Sequence, residues 1–69
     1  IEAYEQALKQ YAAAYNGLHD EIAFLLDYAQ FLMEEGQRKA AAQIYREILD
    51  IDITNEEAHE YLERLTEDG

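Results

Sequence analysis

The sequence predicts an all-α protein of four antiparallel helices. In four successive segments the apolar residues recur at intervals of three and four, the spacing that places them on one side of a helix. Short polar stretches with glycine, asparagine or aspartate separate the segments, and no proline interrupts them. A chain of this length has room for one small core. We therefore expect a single domain over residues 1–69, with helices at about 1–15, 21–35, 37–51 and 55–67.

The first segment carries one apolar stripe and ends in a turn. Its stripe consists of Ile1, Tyr4, Leu8, Tyr11 and Tyr15. Asn16 and Gly17 both tolerate the left-handed conformation found at helix C-termini, so they predict that the helix ends there. Asp20 is a typical N-cap residue and predicts the start of the second helix.

The second segment is apolar on more than one side. Its apolar residues form three groups: Leu25, Tyr28, Ala29 and Leu32; Phe24, Tyr28 and Phe31; and Leu26 with Met33. A helix that is hydrophobic all round is packed by neighbours on several sides. The second helix is therefore expected at the centre of the molecule.

The last two segments each have one apolar side. The third helix should bury Ala41, Ile44, Tyr45, Ile48 and Leu49, and the fourth should bury Ala58, Tyr61, Leu62 and Leu65. Gly36 suits the turn between the second and third helices because glycine adopts positive φ without steric cost. Thr54 and Glu57 have the spacing of a capping box, in which each side chain bonds the backbone N–H of the other residue.

Residues 22–55 resemble a tetratricopeptide (TPR) repeat, a unit of two antiparallel helices that recurs along the chain of such proteins. Ala29 matches the small residue in the first helix of that family, and Gly36 matches its turn glycine. Ala41 and Tyr45 match the small and the large residue of the second helix. TPR units stack into arrays that hold partner proteins, so the resemblance implies a binding module.

The flanking segments continue the same register, although two positions depart from the family pattern. Ile48 stands where the family prefers alanine, and Ile53 stands where it usually has proline. Ala7 and Tyr11 precede the alanine and tyrosine of the third helix by one full repeat length. The resemblance thus implies a four-helix, antiparallel, right-handed TPR-like stack. It would contain the second helix of one repeat, one whole repeat and the first helix of the next.

The charge of the chain restricts its partners. The chain has sixteen acidic and five basic residues, which gives a net charge of −11. Residues 47–69 contain nine acidic residues and one basic residue, Arg64. Such a surface repels nucleic acid and anionic lipid, because phosphate groups are bound by lysine and arginine. No apolar run approaches the roughly 20 residues that span a membrane, and no signal peptide or cysteine is present. These features favour a cytoplasmic protein that binds other proteins.

The sequence offers little support for metal binding or catalysis. Asp50 and Asp52 alternate as in a calcium loop, but Asn55 replaces the required glycine and Tyr61 replaces the bidentate glutamate. The two histidines are distant in sequence, whereas zinc needs three or four ligands. There is no cysteine or serine to act as a nucleophile. We therefore expect no cofactor, no metal and no enzymatic activity.

The TPR resemblance also implies a partner-binding groove, lined by the first helix of each repeat. On this chain the corresponding residues are Ala23, Leu26, Asp27, Gln30 and Met33 in the second helix and Glu57, Glu60 and Arg64 in the fourth. This mixture of apolar and acidic residues suits a basic or amphipathic peptide or helical segment of a partner. A binding role further predicts that Leu26 and Met33 are largely exposed. The alternatives are a structural segment of a longer solenoid, a homodimerisation module, or an engineered bundle.

Overall fold

The structure, a computed structural model, describes residues 2–67 and the side chains of residues 2–65. It consists of four helices packed side by side. They are α1 (Glu2–Leu18), α2 (Ile22–Glu34), α3 (Arg38–Ile51) and α4 (Glu56–Glu67). No strand occurs within residues 2–67. The α2 helix packs against both α1 and α3, and α4 packs against α3. The predicted all-α, TPR-like helical stack is confirmed, and three of the four helices agree with the predicted ranges to within one residue. Ile1, a member of the predicted first stripe, lies outside the described residues.

The buried core lies at the α2–α3 interface and extends to α4. Its members are Leu25, Ala29 and Leu32 of α2, Ala41, Ile44, Tyr45 and Ile48 of α3, and Ala58 of α4. Ala29 and Ala41 are both 0% exposed, as the predicted repeat register requires. Two small residues at a helix crossing allow the backbones to approach closely, so the larger neighbours fill the space around them.

The first helix is attached mainly by aromatic rings, and none of residues 2–18 is buried. The ring centre of Tyr11 lies 4.7 Å from that of Phe31 and 5.2 Å from that of Tyr28, and both pairs are stacked. Tyr4 also stacks on Phe31, at 5.7 Å. These contacts cover one side of α2, while α1 itself stays open on its other sides.

The turn between α2 and α3 is closed by Gly36, as predicted. Its φ is +76°, in the left-handed region that glycine adopts at low cost. The N–H of Gly36 donates to the carbonyl of Met33 at 3.0 Å, and the N–H of Gln37 donates to that of Leu32 at 2.8 Å. This pair of bonds is the Schellman motif, which satisfies the last carbonyl groups of α2.

The predicted boundary between α1 and α2 was wrong by a few residues. The first helix continues through Asn16 and Gly17 to Leu18, and Gly17 does not have a positive φ. The N-cap of α2 is Glu21 rather than Asp20, and no side chain caps this helix. An Asn-Gly pair permits a left-handed turn but does not require one, so α1 can continue in helical geometry to Leu18.

The capping box predicted for α4 is also wrong. Thr54 donates both its hydroxyl, at 2.6 Å, and its N–H, at 3.1 Å, to Oδ1 of Asp52. These two bonds lower the pKa of the Asp52 carboxyl group. Asn55 is the cap instead, because its Oδ1 accepts the N–H of Ala58 at 2.9 Å. Thr54 is thus used in a local turn and is not available to the helix.

Candidate interaction surface

One side of α2 remains open to solvent after α1 and α3 have packed against it. Ala23, Asp27, Gln30 and Glu34 are exposed and recur every three or four residues, so they form one stripe along the helix. Three of them belong to the groove predicted from the sequence, and Glu34 extends the stripe. We use the name α2–α4 surface for the eight predicted residues, which are Ala23, Leu26, Asp27, Gln30, Met33, Glu57, Glu60 and Arg64.

The two large apolar residues of the α2–α4 surface are less exposed than predicted. Leu26 and Met33 are both half-buried and pack against the core cluster. Successive residues of a helix are about 100° apart, so Leu26 lies between the core-facing side of Leu25 and the open stripe. Each side chain therefore supports the core with one part and borders the open stripe with the other.

The α4 part of the surface is charged. Glu60 and Arg64 are exposed and form an ion pair at 2.8 Å across one helical turn. The guanidinium carbon of Arg64 also lies 5.4 Å from the ring centre of Tyr61. An ion pair this exposed contributes little stability, so a charged partner can replace it at small cost. Glu57, by contrast, is half-buried.

Tyr45 of α3 lies between the core and α4. Its ring stacks on that of Tyr61 at 5.2 Å with an interplanar angle of 3°. Its hydroxyl is buried and has no hydrogen-bond partner among the described residues. Burial, followed by the nearby Tyr61 and Glu57, raises the pKa of Tyr45 to about 12. None of the described residues therefore satisfies this polar atom, which α3 presents near α4.

A second open region, which the sequence did not predict as a site, lies between α1 and α2. We name this region of about 450 Å³ the α1–α2 groove, and its lining residues are Ala7, Gln10, Tyr11, Ala14, Phe24, Asp27 and Phe31. Tyr11 donates its hydroxyl to Oδ2 of Asp27 at 2.9 Å. Burial and this carboxylate raise the pKa of Tyr11. Asp27 therefore belongs to both the α1–α2 groove and the α2–α4 surface.

The basic residues are concentrated on α3. Arg38, Lys39 and Arg46, three of the five bases in the chain, line a shallow depression of about 380 Å³ with Leu65 of α4. Sequence reasoning missed this grouping, although the concentration of bases in the third helix was visible. Positive charge thus lies on α3, beside Leu65 of α4.

Metal ligands do not cluster anywhere in the described part of the chain. No group of three or more histidine, aspartate or glutamate side chains could hold an ion there. His59 instead contacts the α3–α4 turn, with Nε2 2.6 Å from the carbonyl oxygen of Ile53. His19 lies beside Tyr15, with ring centres 6.3 Å apart. None of the helices in residues 2–67 is long and apolar enough to cross a membrane.

Comparison with known proteins agrees with a helical-repeat fold. The family described as "YpiA-like, C-terminal tetratricopeptide repeats" matches residues 1–53. The TPR repeat-containing protein YpiA of Bacillus subtilis (strain 168) is 37% identical over 68 residues, which are 99% of this chain and 16% of that relative. The chain therefore spans a small part of the length of the relative. No solved structure shows significant similarity. On the family match and this identity, the chain belongs to the tetratricopeptide-repeat family.

Proposed function

We propose that this chain is a non-catalytic interaction module whose α2–α4 surface binds a basic, amphipathic peptide or helical segment of another protein. Proteins of the TPR family generally bind other proteins, which supports the general role. The observation that carries the specific proposal is the exposed stripe of Ala23, Asp27 and Gln30, bordered by half-buried Leu26 and Met33.

The apolar part of this surface suits two anchors of a partner. Leu26 and Met33 are seven residues apart, which places them about 10 Å apart along the helix axis. This distance is two helical turns, the repeat at which an amphipathic helix presents its own apolar residues. Because both side chains are only half-buried, a partner can cover the part that still faces solvent.

The charges of this surface favour a basic partner. Asp27 and Glu60 are exposed, Asp27 follows Leu26 directly on α2, and the whole chain carries a net charge of −11. An acidic surface attracts cationic ligands and increases their association rate, and salt screens this attraction. A lysine-bearing segment should therefore bind more weakly as the salt concentration rises.

Two lysine substitutions on the open stripe test the proposal. Ala23→Lys with Gln30→Lys adds a positive charge at each of two exposed positions beside Asp27 and leaves the core untouched. Gln6→Lys with Ala13→Lys is the matched control, because it makes the same two changes seven residues apart on the exposed side of α1. The probe is a fluorescent synthetic helix of about 15 residues with leucines on one side and lysines on the other. Its affinity is measured by anisotropy.

We expect the stripe variant to bind this peptide at least about tenfold more weakly, a loss of roughly 1.4 kcal/mol, and the control to bind nearly as wild type. Equal weakening in both variants would show an effect of net charge alone and would contradict a defined surface. Unchanged binding in the stripe variant would also overturn the assignment. Substitution of Leu26 or Met33 is a poorer test, because these residues also pack against the core.

The alternative is a structural or self-associating role, and the lack of any buried residue in α1 favours it. A helix of 17 residues with no buried side chain has surface that a neighbouring element could cover. Sedimentation velocity at two protein concentrations separates a monomeric interaction module from a self-associating one. A constant monomeric sedimentation coefficient supports the interaction module, whereas a dimer that forms as the concentration rises supports self-association.

A further inference from the structure

A small pocket between α1, α2 and α3 combines two tyrosine rings with one carboxylate. Its volume is about 280 Å³, and its lining residues are Ala12, Tyr15, Tyr28, Gln43, Ile44 and Glu47. We propose that this pocket binds the guanidinium group of an arginine side chain that belongs to another protein. None of the described residues that line it belongs to the α2–α4 surface or to the α1–α2 groove, so the proposal does not depend on the function proposed above.

Glu47 supplies the negative charge of the pocket. Tyr15 donates its hydroxyl to Oε1 of Glu47, and this bond connects α1 to α3 and holds the carboxylate at the pocket. The bond, followed by burial and by the charge of Glu47, raises the pKa of Tyr15. Burial, followed by the nearby Tyr4 and Glu47, raises the pKa of Tyr28. The charge of Glu47 therefore acts on both tyrosine hydroxyls that line the pocket, and this potential favours a cation.

The two tyrosine rings suit a planar cation. The ring centres of Tyr15 and Tyr28 lie 6.2 Å apart, and the ring planes are inclined at 63°. Two rings inclined in this way can contact one group from two sides, and aromatic rings attract cations electrostatically. A guanidinium group stacks on aromatic rings and is more weakly hydrated than an ammonium group. Ile44, which is 7% exposed, adds an apolar wall.

Gln43 and Glu47 favour arginine over lysine. They stand four residues apart on α3, so their Cβ atoms are about 5–6 Å apart on the same side of the helix. The amide oxygen of Gln43 and the carboxylate of Glu47 are both hydrogen-bond acceptors. A guanidinium group has five N–H donors in one plane and can donate to both acceptors at once. An ammonium group is a compact point charge without this geometry.

The expected occupant is one side chain of a separate polypeptide. The pocket is smaller than the roughly 300–1,000 Å³ of small-molecule sites, so it suits the end of a single side chain. The arginines of this chain are Arg38, Arg46 and Arg64, and none of them lines the pocket. An arginine from a second copy is disfavoured, because two chains that each carry a net charge of −11 repel one another. The same net charge attracts a basic partner.

The test uses the whole chain and three blocked peptides of glycine and serine, each with one central arginine, lysine or citrulline. Citrulline has nearly the shape of arginine but no charge, so it isolates the contribution of the cation. Binding is measured by NMR titration, which detects weak complexes and locates them. The signals to follow are the backbone amides, the side-chain amide of Gln43 and the rings of Tyr15 and Tyr28.

Two pairs of variants locate the site. Glu47→Gln removes the charge but keeps an acceptor for Tyr15, and Asp50→Asn is the matched control at an exposed position of the same helix. Gln43→Lys places a competing cation at the pocket, and Gln6→Lys is its control at an exposed position of α1. Because Gln43 is exposed, the second pair tests the proposal even if Glu47→Gln weakens the fold. Thermal melts establish that each variant is folded.

We expect the arginine peptide to shift the signals of Tyr15, Gln43 and Glu47, the lysine peptide to bind more weakly, and the citrulline peptide not to bind. Removal of a charged hydrogen-bond partner should weaken binding at least about tenfold in Glu47→Gln. Gln43→Lys should weaken it to a similar extent, and both controls should bind nearly as wild type.

Four results would overturn the proposal. The first is absence of binding by the arginine peptide. The second is equal affinity for the arginine and lysine peptides, or equal loss in a variant and its control, because either would show an effect of net charge alone. The third is a set of shifts centred on Ala23 and Gln30, which would support the α2–α4 surface. The fourth is a concentration-dependent shift of Gln43 and Glu47 without peptide, which would assign the pocket to a second copy.

Discussion

Replacement of Tyr45 by phenylalanine removes one oxygen atom from the core and leaves the ring in place. Tyr45 is 0% exposed, and its hydroxyl lacks a hydrogen-bond partner among the described residues. A buried polar group without a partner loses its hydrogen bonds to water on folding, at a cost of about 1–3 kcal/mol. The phenylalanine ring retains the stacking on Tyr61. We therefore expect Tyr45→Phe to be neutral or to stabilise the fold by up to about 2 kcal/mol near pH 7.

The effect of this substitution should grow at alkaline pH. Burial raises the pKa of Tyr45 from 10.0 to about 12, so the neutral hydroxyl is retained longer in the folded chain than in the unfolded chain. The unfolded chain therefore loses this proton first, so the free energy of unfolding is unaffected below pH 10 and falls as the pH rises towards 12. This difference in pKa between the folded and the unfolded chain corresponds to about 2–3 kcal/mol of unfolding free energy. The advantage of Tyr45→Phe over wild type should increase by that order between pH 10 and pH 12.

Urea denaturation followed by circular dichroism measures both effects, and tyrosinate absorbance follows the titration. A gain of 1 kcal/mol should raise the Tm by about 4–8 °C in a domain of this size. Tyr15→Phe is the matched control, because the Tyr15 hydroxyl donates to Oε1 of Glu47. The control should lose about 1 kcal/mol or more. A loss above about 1 kcal/mol for Tyr45→Phe would show that its hydroxyl is satisfied and would refute the reasoning.

Two further predictions concern the turns, and urea denaturation measures both. Gly36→Ala should destabilise the fold by about 1 kcal/mol or more, because φ is +76° there. Gly17→Ala should be neutral or stabilise the fold by up to about 1 kcal/mol, because Gly17 lies inside α1 with no atom near an added Cβ. Equal effects of the two substitutions would contradict the assigned backbone conformations. Asn55→Ala should cost about 1 kcal/mol by removing the N-cap of α4, and a larger loss for Thr54→Val would instead point to Thr54 as the cap.

The candidate surfaces show which features can be predicted from the spacing of residues along the chain. The exposed positions Ala23, Asp27 and Gln30 were predictable, because the spacing of the buried residues on α2 leaves one side free. The partial burial of Leu26 was not predictable, because it depends on how closely α3 approaches the adjacent side of α2. The α1–α2 groove was missed for a similar reason. Its equivalence with α3 was visible in the repeated Ala7 and Tyr11, but its openness became evident only when α1 proved to bury no residue.

The sequence by itself determined the number of helices, the central position of α2, the core of α2 and α3, and the turn at Gly36. Each of these depends on helical periodicity or on one residue with a distinct backbone preference, so it can be inferred from neighbours along the chain. The tertiary structure decided that α1 continues past Gly17, that Asn55 rather than Thr54 caps α4, and that the Tyr45 hydroxyl is left without a partner among the described residues. At these places several local arrangements have similar energies. Contacts with side chains distant in sequence, or with a competing acceptor such as Asp52, then select one of them.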